Sequence, residues 1–496
     1  MGQGERVACA RYHGQNISMV TVITRKGNIL EVSPPNEGVL RDVLSYTYFR
    51  KGLVYGQETI NKIVSSYSVI GDKLYTTQGA LKLITDRFTE LGIQYTCADT
   101  GKVLLNPDYE YAEVTIGPVE FRHNQDEALA AIISNDSGVI EAVTAYGKTF
   151  LITLAAVLYH KHRILILTPS KTLFNSTYRR LMEHTADVGR VGNGYSETGM
   201  RIVLCTFRSI LKAANQQYDV VFVDECHGLA ADGCSSDFVK LKRYQKCIGL
   251  SATAFDRIDG ANKLVEMMIG PSIFKTTYQS AVDAGSVVPI NVEMIPVTKG
   301  PSSEVYQSTL AKKRNLYWNN LGRNKVIANA LPDIAKKYNL RSDYQSLIIA
   351  TTVIHAFQLS RYLPGYTVVY GGLSKAQLDK AKKMGAVDDD YKALRPKQLE
   401  ELQKSFEADK LKHVIATTVW GEGVDFPALD MLVNVSGEST PIQLTQWTGR
   451  LSRINPSTGK SMGVVVDTMD DWDTWALGRA KQRRRQYLKN GGYMAT

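Results

Sequence analysis

The sequence predicts an α/β protein: two parallel-sheet domains in series, preceded by a smaller α+β unit. Three observations predict it. Short, wholly apolar runs alternate with helix-like segments from about residue 113 to 290, the same texture returns from about 300 to 470, and residues 1–112 lack it. A run that is apolar on both faces belongs in a parallel sheet covered by helices, because a strand with one wet face would alternate. The length of 496 residues exceeds one ordinary core and agrees with about three domains.

In the first repeat the strands read Arg163–Thr168, Arg201–Phe207, Val220–Asp224 and Cys247–Ser251. In the second they read Ser346–Thr351, Thr367–Tyr370, His413–Thr417, Met431–Val435 and Gly463–Val466. Val287–Gly300, with Pro289 and Pro296, reads as a linker. In the first unit, residues 78–91 read as an amphipathic helix with Ala80, Leu81, Ile84, Phe88 and Leu91 on one face, and Met19–Ile23 as a β-like run. The expected units are therefore 1–112, 113–290, 291–475 and a basic tail, 476–496. Residues 375–400, holding Lys382, Lys383 and Asp388–Asp390, read as a loop insertion.

Composition is ordinary for a globular chain, at 44% hydrophobic and 22% charged. The net charge of +10 suits a polyanionic partner. Residues 477–496 carry six basic side chains and no acid, and Arg483, Arg484 and Arg485 are expected to contact phosphates. Residues 1–112 hold 12 basic and 11 acidic residues, so that unit is no generic polyanion clamp. The stretch Tyr46, Tyr48, Phe49, Arg50, Lys51 and Tyr55 reads as core plus a solvated edge. Six cysteines form no CxxC pair, so free thiols in a reducing compartment are expected rather than zinc. The longest apolar stretch, around Leu151–Leu158, is too short to cross a bilayer, and a cytoplasmic chain with no membrane partner is expected.

Residues 142–149 read Ala-Val-Thr-Ala-Tyr-Gly-Lys-Thr and open a helix-like run, Phe150–His160. A loop feeding a helix N-terminus offers free N–H groups and a positive dipole end to phosphates. Thr144, Ala145, Tyr146 and Gly147 would cradle them, Lys148 would reach the β/γ-phosphates, and Thr149 would ligate Mg²⁺. The strict pattern has Gly where this chain has Ala142. The apolar strand Val220–Val223 ends in Asp224-Glu225-Cys226-His227, with carboxylates at the edge where parallel sheets bind ligands. Asp224 would hold Mg²⁺ through water, and Glu225 would orient and deprotonate the attacking water. Upstream, Phe121 could stack on a base and Gln125 could read its edge. Downstream, Gln446, Arg450 and Arg453 fall within about two helical turns, suited to neutralising transition-state charge.

Together these motifs resemble the superfamily 2 helicases of the DExH type, over roughly residues 115–470. The resemblance implies two tandem RecA-like motor domains that use ATP and Mg²⁺. It assigns Arg122 and Gln125 to adenine, Thr144–Thr149 to the phosphate loop with Ala145 where many members carry Gly, and Asp224–His227 to the DExH box. It implies nucleic-acid contacts from Pro169, Ser170, Thr206, Arg208, Thr352 and Thr417, and coupling through His227, Ser251 and Thr253. Gly423 and Asp425 match the family's nucleotide-contacting motif in the second domain. Arg453 is its arginine-finger position, and Gln446 stands where RNA-specific members often carry His. Within the superfamily the chain looks most like tailed-phage recombination helicases of the UvsW class, which implies a host cytoplasm. The expected activity is unwinding of forked or branched DNA, 3′ to 5′, by a monomeric motor acting on single-stranded, forked or junction DNA. Alternatives are a double-strand translocase that does not separate strands, or a helicase acting on RNA or an RNA–DNA hybrid.

Overall fold

The computed structural model describes residues 20–50, 60–231, 233–255, 261–298, 308–417, 420, 426–437 and 440–494. Every apolar run singled out in the two repeats forms a strand, most ending within two residues of the expected positions; the strand from Gly463 continues to Asp470.

The first large sheet has eight strands. From edge to edge they are Tyr195–Ser196, Val188–Gly192, Ile202–Thr206, Ile164–Thr168, Val220–Asp224, Lys246–Ser251, Ser137–Glu141 and Ser272–Lys275. All neighbours are parallel except the hairpin at Val188–Gly192 and Tyr195–Ser196. Because the strands are parallel, Glu141, Thr168, Thr206, Asp224 and Ser251 end on one edge of the sheet. That edge is where an open parallel sheet places its ligand crevice.

The second large sheet runs Thr367–Val369, His413–Ala416, Gln345–Ile349, Leu429–Asn434, Gly463–Asp470, Ile290–Val297 and Gly492–Met494, parallel throughout. The expected linker is therefore corrected, since Ile290–Val297 is a strand of this sheet. Its prolines misled because Pro cannot donate to a ladder. Among the described residues Gly492–Met494 pairs only with Ile290–Val292 and no strand pairs with Pro296 on that flank, where Pro is tolerated. The crossing between the motor domains comes earlier. Tyr278, in the helix Tyr278–Asp283, already packs on the second core, and its hydroxyl donates to the Val288 carbonyl.

The expected basic tail is corrected as well. The helix Thr474–Lys489 buries Ala476, Ala480, Arg483 and Tyr487 at helical spacing against the second domain. Residues 375–400 are not a plain loop either. The helix Lys375–Lys383 lies within it and the helix Pro396–Glu407 begins in it, and Ala381 is buried with Val353, Phe357 and Tyr370.

The N-terminal unit is a five-stranded mixed sheet, Tyr67–Ile70, Lys73–Thr77, Ile29–Ser33, Thr21–Lys26 and Tyr95–Asp99. The helix Leu81–Glu90 seals it with Ile84 and Phe88. Tyr46 is buried in its core; Lys51 and Tyr55 lie outside the described residues. Its apolar residues join those of the first motor domain in one continuous core. Arg25 pairs with Asp136 at 2.7 Å and donates to Gln78 at 2.9 Å. Arg243 reaches back to the Gly101 carbonyl at 2.6 Å. Gly79 has no room for a side chain, since a Cβ there would stand 2.6 Å from the Gly270 nitrogen. The boundary at residue 112 falls inside the helix Tyr109–Ile116, whose Ala112 lies in the first motor core. Asp108 caps that helix and accepts from Lys161 at 3.0 Å. Among the described residues no helix is long and apolar enough to cross a membrane.

Candidate nucleotide and nucleic-acid site

The loop between Glu141 and the helix Lys148–Leu158 makes the tight turn that phosphate cradles need. Ala145 has φ 72° and Gly147 has φ 98°. Both lie in the left-handed region, which glycine enters freely and alanine only at a cost. Ala145 is thus strained at the position where many helicases carry Gly. Gln125, only 3% exposed, braces the loop from below. Its Oε1 accepts from the Arg122 N–H at 3.0 Å, and its Nε2 donates to the Tyr146 carbonyl. The amide expected to read a base therefore also ties Arg122 to the phosphate loop. Phe121 and Arg122 are exposed beside it.

Lys148 is the first residue of its helix and is 8% exposed. Its ammonium donates to the Ala142 carbonyl at 3.3 Å and lies 3.6 Å from Glu225 Oε1. Thr149 follows at the helix head, partly exposed. Asp224, 2% exposed, forms no ion pair within 4 Å among the described residues. Burial, then the adjacent Glu225 charge, pushes the Asp224 carboxyl well above the usual carboxylate range. A buried carboxylate with no ion-pair partner within 4 Å among the described residues suits a metal ion, because burying such a charge is costly.

Glu225 adopts φ 48°, a strained left-handed conformation that aims its side chain back at Lys148. Burial raises its carboxyl, but the Lys148 charge and the His227 and Ser251 bonds outweigh that and hold it ionised. Ser251 Oγ donates to Glu225 Oε2 at 3.2 Å. Ser251 Oγ also accepts from the Thr253 N–H at 3.0 Å and meets His227 Nδ1 at 2.9 Å. With the serine proton on Glu225, His227 must donate from Nδ1. Oε2 of Glu225 is thus engaged, and Oε1 is left facing Lys148. Glu225, His227, Ser251 and Thr253 form one hydrogen-bonded unit.

The second domain closes on this site. In the helix Pro441–Leu451, Gly449 lies against Thr144, and a Cβ built on Gly449 would overlap the Thr144 side chain. Gln446, one helical turn before Gly449, lies on the same side of that helix, whereas Arg453 follows the helix end at Leu451. Arg450 departs from the expectation. It is 5% exposed and donates to the Trp420 carbonyl of its own domain, because the residue next to Gly449 is turned about 100° around the helix. Gly423 and Asp425, with Thr418 and Glu422, lie outside the described residues.

The residues expected to track nucleic acid occupy the strand ends beside the cleft. Ser170 caps the helix Lys171–Met182, next to exposed Pro169. Thr206 bonds Ser209 at 3.1 Å, and Arg208 is exposed between them. Thr352 caps the helix Val353–Ser360 and, with Thr417, lines a cleft of about 430 Å³. Gly371, Gly372 and Gln377 complete that cleft. They were missed in the sequence, although the Gly-Gly pair after the Thr367–Val369 strand was a signal. Arg483 is corrected: it is fully buried and pairs with Asp467 at 2.9 Å, so it cannot meet a phosphate. Arg484 and Arg485 are exposed.

Two parallel-sheet domains facing one another across a phosphate loop define a two-domain ATP-driven motor. The model for the type III restriction enzyme res subunit matches residues 118–256, and that for the helicase conserved C-terminal domain matches residues 329–455. The chain belongs to the superfamily 2 helicases and is an ATP-driven helicase enzyme. It is 24% identical over 386 residues to the DNA 3′-5′ translocase XPB2 of Sulfurisphaera tokodaii, covering 74% of this chain and 85% of that protein. It is also 24% identical over 401 residues to a protein described as helicase 22 of Sulfolobus islandicus filamentous virus, covering 75% and 68%. The structure of S. cerevisiae Dbp5 bound to RNA superposes with a TM-score of 0.51 at 16% identity, covering 82% and 95%. T4 UvsW aligns over 96% of this chain and 99% of that one, at 17% identity and a TM-score of 0.43, too loosely to assign a class within the superfamily.

Proposed function

We propose that the chain is a DNA helicase that couples ATP hydrolysis to movement along one strand, 3′ to 5′, and so unwinds forked or branched DNA. The observation that carries the hydrolytic part is the meeting of Gly449 with Thr144 beside the Lys148–Glu225 pair. The residues fit a magnesium nucleotide: Lys148, Thr149 and the loop N–H groups would hold the phosphates, and buried Asp224 the metal through water. When bound, ATP supplies the phosphoryl group that water attacks, and Mg²⁺ neutralises its charge. Glu225 Oε1 orients that water and takes its proton, while Ser251 and His227 fix the other oxygen. Arg453 neutralises charge from the second domain.

DNA as the substrate, and the polarity, are supported by the relative named as a DNA 3′-5′ translocase. The same name favours the second reading, double-strand translocation without strand separation. Contacts from Ser170, Thr206, Arg208, Thr352 and Thr417 would go to phosphates, which fixes register but not sequence. The N-terminal unit shares a core with the first motor domain, so a duplex arm held by it would be held rigidly at the branch point. ATPase and unwinding assays on single-stranded, duplex, forked, four-way and RNA–DNA hybrid substrates decide among the readings. Unwinding that is fastest on forks and four-way junctions supports the proposal. Duplex-stimulated ATPase without strand separation would favour the translocase.

A further inference from the structure

The free edge of the first motor sheet carries an aromatic surface that the nucleotide chemistry does not use. Its hairpin turns through Gly192, Asn193 and Gly194, all at positive φ. Gly192 is pinned, because a Cβ there would overlap Thr206 Oγ1 and lie 2.7 Å from Ser209 Oγ. The turn therefore sits beside the segment that carries exposed Arg208. Tyr195 stands directly opposite Gly192 in the hairpin register.

The Tyr195 ring is held from behind. The Arg190 guanidinium lies 3.6 Å from its centroid and 4.5 Å from that of Tyr178. Glu197 fixes that guanidinium with two bonds, of 3.1 and 3.2 Å, and neutralises its charge. Arg190 is thus a prop rather than a phosphate ligand. Tyr195 remains 37% exposed, and among the described residues no second ring or cation stacks on it. A flat, rigid ring with a free face, beside a hydroxyl and a cation suited to phosphate, matches a nucleotide unit in both its parts.

We propose that Tyr195 is a stacking platform for one base of a single strand that runs past Thr206 and Arg208. The inference rests on the nucleic-acid reading above. It is tested with the full chain as wild type, Tyr195→Phe and Tyr195→Leu, using a short oligodeoxynucleotide carrying 2-aminopurine. Leucine fills the space over Arg190 without a π face. Tyr195→Leu is expected to weaken binding roughly fivefold to a hundredfold and to lose most of the fluorescence quenching at saturation, whereas Tyr195→Phe keeps both. Thermal midpoints of the two variants confirm that both are folded. Unchanged affinity and quenching in Tyr195→Leu overturn the stacking role alone, as does an equal loss in Tyr195→Phe. A wild-type chain that binds no single strand overturns the nucleic-acid reading and this inference with it.

Discussion

Gly449 of the second motor domain packs against Thr144 of the phosphate loop so closely that no side chain fits between them. The contact joins the two domains at the phosphate loop. Gly449→Ala separates closure from folding. Alanine in a helix is favoured over glycine by roughly 0.5–1 kcal/mol, so the thermal midpoint should hold or rise. Turnover should nevertheless fall at least about tenfold, since the added methyl holds the second domain off the phosphate loop. A variant with normal ATPase would show that the cleft does not close through this contact.

The phosphate loop gives a second contrast. Ala145→Gly relieves a left-handed alanine, which offsets the extra entropy of an unfolded glycine; stability should change by less than about 1 kcal/mol and turnover should persist. Gly147→Ala should cost more than about 1 kcal/mol and lower turnover. Its φ is 98°, and a Cβ there would lie 2.6 Å from Gln125 Nε2. Urea unfolding and steady-state ATPase of the two variants check the pair.

Arg483 and its neighbours should respond oppositely. Arg483→Gln leaves buried Asp467 without its cation, although Asp470 keeps Arg323 at 2.9 Å, and should destabilise the chain by about 3–5 kcal/mol. Replacing exposed Arg484 and Arg485 together by Gln should leave the fold intact. If both touch phosphates, the slope of log K against log salt becomes shallower by up to roughly 1.4 on single strands. An unchanged slope would make them plain surface charges.

Removing the N-terminal unit should not give a working motor. A chain starting at Val114 loses the covering of Met267 and Ile269, which lie in the shared core. It should be poorly soluble or unfold well below the intact protein, as circular dichroism melting would show. A stable truncated ATPase would mean that the shared core is dispensable.

Much of this was legible in the sequence because the motor strands are buried on both faces, and burial writes itself as unbroken apolar runs such as Val220–Val223. The order of Lys148, Glu225 and Ser251 along the chain also announced the site, since each ends or follows such a strand. What stayed hidden depended on partners distant in sequence. Arg483 looked like one of a basic run until Asp467 and Asp470, on the neighbouring strand, were seen to pair with it. Arg450 and Arg453 could not be told apart by spacing alone; the bond from Arg450 to the Trp420 carbonyl depends on a partner thirty residues away. Pro296 obscured a strand because its tolerance depends on which neighbour is missing.

In the proposed reaction Glu225 takes the proton of the attacking water while its second oxygen is held by Ser251. The most direct measurement is ATP turnover by Glu225→Gln, with and without single-stranded DNA, beside nucleotide binding by the same protein. The amide keeps the shape but is no base, so ATP should bind within a few-fold of wild type while turnover falls by about 10²–10⁴ in both conditions. Near-normal turnover with retained binding would contradict it.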